Sequence, residues 1–76
     1  MPDAAERYAE AFRALCRNSI AEYAAGVIGE TDEYLRVNRA MASARAERGV
    51  PWWRRWLIER RILRELDYWK HTGGWG

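Results

Sequence analysis

The chain has 76 residues, a formal net charge of +2 and 49% hydrophobic residues. A domain this short buries only roughly 60% of the surface its unfolded form exposes, so a single thin core is all it can build. Five tryptophans argue against a disordered chain, and Cys16 and His71, the only cysteine and the only histidine, exclude an internal disulfide and a Cys-rich zinc site.

A single core in chains below about 70–80 residues seldom supplies more than about 3–5 kcal/mol, so dense helix packing or a partner chain is expected to support it. The charge is uneven. Residues 1–30 carry three Arg against five acids, residues 31–50 four against three, and residues 51–76 six Arg or Lys against three. Twelve of the thirteen basic residues are Arg, a bias that suits bidentate and stacking contacts and equally suits a GC-rich genome. No stretch reaches the ~20 apolar residues that cross a bilayer. The opening Met1-Pro2-Asp3, followed by Glu6 and Arg7, lacks the basic start and apolar run of a signal peptide. A cytoplasmic location is expected.

The first helix is expected from about Ala4 to Ile28, with Asp3 and Glu6 in capping-box spacing. Tyr8, Phe12, Leu15, Cys16, Ile20, Tyr23 and Val27 fall on one side of it, and Glu6, Glu10, Arg13, Arg17 and Asn18 on the other. The second helix is expected from about Asp32 to Arg48, capped by Thr31, with Asp32 and Glu33 at its dipole-favoured first turn. Tyr34, Leu35, Val37, Met41, Ala42 and Ala44 form its apolar side, with Asn38 and Arg45 inside the same arc. Those two are read either as Asn38 bonding a nearby backbone group and Arg45 snorkelling at the edge, or as a secondary polar contact for a partner or a second copy of the chain.

Gly49-Val50-Pro51 is a stop-and-restart signal, and a third helix is expected from about Pro51 to His71, followed by a tail over residues 72–76. Its main apolar face is expected to comprise Ile58, Ile62, Leu63, Leu66 and Trp69, with Trp56 near the start. Short connections between three helices predict one all-α domain over residues 1–76, an up-down-up three-helix bundle. The Ala-rich second helix covers two faces poorly, so an open helical hairpin completed by homodimerisation competes with that reading.

No catalytic role is expected. Cys16 sits on an apolar face and His71 in a fraying helix end, so neither has the base or orienting group that nucleophilic chemistry needs. Glu59, Glu65 and Asp67 interleave with Arg at helical spacing and read as a solvated, ion-paired surface. No cofactor, metal site or phosphate loop is expected.

The informative segment is Pro51-Trp52-Trp53-Arg54-Arg55-Trp56, continued by Arg60, Arg61 and Arg64. A helix in a bundle buries one stripe, and these side chains are too many and too large for one stripe. Arg54, Arg60, Arg61 and Arg64 spread opposite the apolar face, with Trp53, Leu57 and Tyr68 between them, so part of the aromatic surface is expected to be exposed. Trp and Arg are the residue types most enriched at interface hot spots. The leading expectation is a non-catalytic protein-binding module, an adaptor, inhibitor or modulator, that docks through Trp52, Trp53, Arg54, Arg55, Arg60, Arg61 and Arg64, with Trp75 as a tail anchor. A nucleic-acid-binding helix using the same residues is the alternative, weakened by the three acids on that helix. A membrane-surface role is weaker still, because the bundle needs the apolar face. In the bland reading the rings fill the core, covered by Arg stems.

Overall fold

Asp3 starts the first helix as expected: its Oδ1 accepts the Glu6 backbone N–H at 2.8 Å, which satisfies one of the orphan amides of a helix start. The computed structural model describes residues 3–26, 31–46 and 49–72, with residues 31–34 given by their backbone alone. Over these it is all-helical: α1 spans Ala4–Ala24, α2 Thr31–Arg45, α3 Trp52–Glu65, and a single turn, α4, Tyr68–His71.

Each boundary has a local cause. α1 ends four residues short of Ile28 because Gly26 takes a φ of +76°, a conformation L side chains rarely adopt, after Ala25 closes the last turn onto Ala21. Val27 lies outside the described residues, as does the end expected for the second helix. α3 starts after Pro51, which sits at the N-cap with extended backbone while its carbonyl accepts the Arg54 and Arg55 amides. Gly49 admits a close approach just before it, since a Cβ there would stand 3.1 Å from Ala4 Cβ.

The third helix is not continuous to His71. Leu66 closes α3 onto Ile62, and Asp67 then adopts φ 51°, ψ 46°, a left-handed residue that restarts the chain as α4. This break reverses one expectation. Tyr68, projected between the outward arginines, is instead fully buried, and Thr72 is buried behind it with its Oγ1 donating to the Tyr68 carbonyl at 2.8 Å. Asp is tolerated in the left-handed region and a β-branched residue is not. Asp67→Val is therefore expected to lower stability by about 1–2 kcal/mol in a denaturant melt, whereas Asp67→Gly is expected to leave the fold intact.

α1 is the common partner of the other helices, and α2 and α3 do not lie directly against each other. The core runs along α1 through Tyr8, Phe12 and Cys16, met by Leu35 and Ala42 of α2, Ala46, Val50, Ile62 of α3 and Tyr68. The Tyr8 and Phe12 rings lie nearly parallel with centroids 6.0 Å apart. The buried positions of α2 are Leu35, Asn38, Ala42 and Ser43, continued by Ala46 just past its end, so Val37, Met41 and Ala44, expected inside, face outward.

Asn38 stands in the α1–α2 seam. Its Nδ2 donates to Ser19 Oγ at 3.1 Å, and Ser19 in turn donates to the Leu15 carbonyl. As a contact residue for a partner Asn38 is therefore corrected: it is buried between helices, and its amide is occupied by α1.

Candidate interaction surface

α3 turns Glu59 and Ile62 toward α1, with Ile58 and Leu63 half-buried beside them. Every other position of this helix is forced outward or to a flank, and that is what sets the surface. Trp52 is 72% exposed, Trp53 52%, Trp56 51% and Leu57 52%. The expectation that Trp56 joins the apolar face is overturned, because the buried arc is centred on Glu59 and Ile62 rather than on the average of the large side chains. Trp56 is covered instead by a guanidinium, with Arg60 Cζ lying 4.7 Å from its ring centroid.

Arg54, Arg60, Arg61 and Arg64 are all exposed. Leu57, Arg60, Arg61, Arg64 and Glu65 line an open groove of about 560 Å³ along this side. Arg55 departs from the set. It reaches across to α2, where its Nη1 donates to Ser43 Oγ at 3.1 Å, so it bridges two helices. Arg45 is exposed beside α1, in a shallow depression with Glu10 and Ala14. Trp75 lies outside the described residues. Trp69 is half-buried with its ring perpendicular to that of Tyr68.

Of the three acids expected on a solvated, ion-paired surface, Glu65 and Asp67 are exposed and Glu59 is not. Glu59 is only 6% exposed. Its Oε2 accepts the Tyr8 hydroxyl at 2.6 Å, and its Oε1 pairs with Arg39 Nε of α2. One carboxylate thus ties α1, α2 and α3 together. Glu65 accepts Arg13 Nε at 2.7 Å, an exposed pair linking α1 to the end of α3. Helical spacing alone could not reveal Glu59, since a carboxylate one turn from Arg55 and next to Arg60 reads as solvent-facing by default. The usable signal was Glu59 falling between Ile62 and Leu63 on the wheel, on the side where the apolar residues converge.

Burial and the hydrogen bond to Glu59 push the Tyr8 phenol well above its ordinary range, with the Glu59 charge adding to the rise and Arg55 and Arg39 opposing it. Burial likewise pushes the Cys16 thiol up to about 12, with the Asn38 amide pulling the other way. A thiol so raised and fully buried is a packing residue with negligible thiolate at neutral pH. His71 Nδ1 lies 3.0 Å from the Asp67 carbonyl, within its own turn. Among the described residues no three His, Cys, Asp or Glu side chains gather where they could hold a metal ion, and no helix is long and apolar enough to cross a membrane.

Fold and surface together define a small all-helical protein with an indole-bearing, guanidinium-fringed face on its third helix. No family model, no curated protein and no solved structure matches the chain.

Proposed function

We propose that the protein is a non-catalytic protein-binding module that docks through the outward face of α3. The observation that carries this reading is the exposure of three indoles, Trp52, Trp53 and Trp56, each half exposed or more, on one rigid helix beside Arg60, Arg61 and Arg64. Large rings on a preformed helix bind with little ordering cost, and Trp and Arg dominate interface hot spots. The whole chain acts as one domain in this reading, an up-down-up bundle. A second copy can cover the outward Val37 and Met41 of α2, which are large apolar side chains left exposed.

The test is capture of partners from host cells, with and without nuclease, by the wild type and by Trp53→Ala. A nuclease-resistant partner lost with Trp53→Ala is expected, with affinity for the purified partner falling roughly 30-fold or more, the scale of a hot-spot residue. Equal capture by both proteins would remove the reading. Nucleic acid is the second reading, and one observation favours it: Glu59 points inward and Glu65 is engaged by Arg13, so less negative charge faces a phosphate backbone than the sequence suggests. Loss of all capture on nuclease treatment would select it.

A further inference from the structure

The exposed strip of α3 is divided along its length. Trp53, Trp56 and Leu57 stand in its first half with one exposed cation, Arg54, and Arg60, Arg61 and Arg64 in its second, so a mainly apolar half gives way to a cationic half within about 16 Å of helix. The cationic half is not neutralised from within. Arg61 and Arg64 meet no acid at ion-pair distance among the described residues, Glu59 is committed to Tyr8 and Arg39, and Glu65 is committed to Arg13.

From this division we propose that the strip takes an acidic amphipathic helix of another protein, its apolar residues against Trp53 and Leu57 and its Glu or Asp side chains against Arg61 and Arg64. The proposal rests on the protein-binding reading and adds the chemistry of the partner. Three features select this occupant. The open groove beside Leu57 is lined by three arginines, Arg60, Arg61 and Arg64, against one acid, Glu65, a charge balance that suits an acidic partner. Two arginines three residues apart match carboxylates at helical spacing, which guanidinium groups grip bidentately. The outward guanidinium groups are interrupted, since the half-exposed Trp56 and Leu57 stand between Arg54 and Arg60, whereas a phosphate chain carries charge along its whole length. A lipid surface is disfavoured as well, because the indoles crowd one end of the helix rather than lining its length.

The test titrates the intact protein with four probes, following tryptophan fluorescence: a helical peptide with leucines on its first two turns and glutamates at helical spacing on the next two, the same peptide with lysines for glutamates, a single-stranded oligonucleotide, and phosphatidylglycerol vesicles. Binding of the glutamate peptide alone is expected. Arg61→Glu/Arg64→Glu should weaken it at least about tenfold, and this doubly substituted protein should bind the lysine peptide instead. These two arginines are exposed, and circular dichroism will confirm that the variant retains its helices. The restored pairing with the lysine peptide identifies the contact independently of any loss of stability. The proposal is overturned if no probe binds, if the oligonucleotide or the vesicles bind more tightly than the glutamate peptide, or if exchanging the charges fails to exchange the preference. A Trp53-dependent protein partner without an acidic helix would also overturn it and would leave the protein-binding reading standing.

Discussion

Glu59→Ala is expected to destabilise the protein by about 1–3 kcal/mol, the cost of stranding a buried hydroxyl that has lost its acceptor. Tyr8 is fully buried, and its hydroxyl donates to Glu59 Oε2. Arg39, by contrast, has a half-exposed side chain and can return to water when its partner is removed, so the penalty falls mainly on Tyr8. Against a total of about 3–5 kcal/mol for a chain of this size, the loss should lower the melting temperature by on the order of 10 °C. The double variant Tyr8→Phe/Glu59→Ala, which removes donor and acceptor together, should be more stable than the two single effects added, because neighbours sharing a hydrogen bond are not additive. Thermal melts of the four proteins followed by circular dichroism make the check. A Glu59→Ala protein as stable as wild type would mean that the carboxylate stands in solvent.

Above pH 9 the fold should lose stability steeply. Cys16 and Tyr8 are both neutral when protonated, and the folded chain favours that form, with the thiol raised from 9.0 to about 12 and the phenol raised from 10.0. As pH rises the unfolded chain releases these protons first, so stability is complete below the unfolded values and is lost as pH climbs toward the folded ones. Cys16 begins the decline near pH 9 and Tyr8 joins it near pH 10. Each group contributes a slope of about 1.4 kcal/mol per pH unit once fully within its window. Arginine keeps its charge throughout, so twelve of the thirteen basic residues add nothing to this transition. Denaturant melts at pH 7, 9, 10 and 11 should show the fall, and Cys16→Ala should delay its onset. Equal stability at pH 7 and pH 11 would show that neither group is shielded.

Much of this architecture was legible because it depends on short-range signals. Asp3 three residues before Glu6, Gly49 before Pro51, and the 3.6-residue recurrence of Tyr8, Phe12 and Cys16 all act within one or two turns. Exposed rings on α3 were legible by simple counting, since one buried stripe cannot hold Trp52, Trp53, Trp56 and Leu57 together with Ile58 and Ile62. The use of that surface was not. The misses share one origin, the energetics of long-range pairing. Glu59 is buried because Tyr8 lies 51 positions away and Arg39 lies 20 away, and neither is visible in a window around residue 59. Asn38 likewise turned the stripe of α2 away from Val37 and Met41 by finding Ser19 across the seam. Asp67 left the helical region where no glycine or proline announced it, and with it Tyr68 moved from outside to inside.

α3 packs its backbone against α1, while α2 reaches it through the Arg39–Glu59 pair and the Arg55–Ser43 hydrogen bond. A helix wedged between two neighbours has most of its circumference spoken for, whereas one that rests against a single neighbour keeps a broad outer flank. That flank is wide enough here for indoles and guanidinium groups to stand side by side without a loop or extra domain to carry them. In so short a chain, economy of interior and generosity of exterior arise from the same arrangement: what the fold forgoes in enclosure it retains as reach.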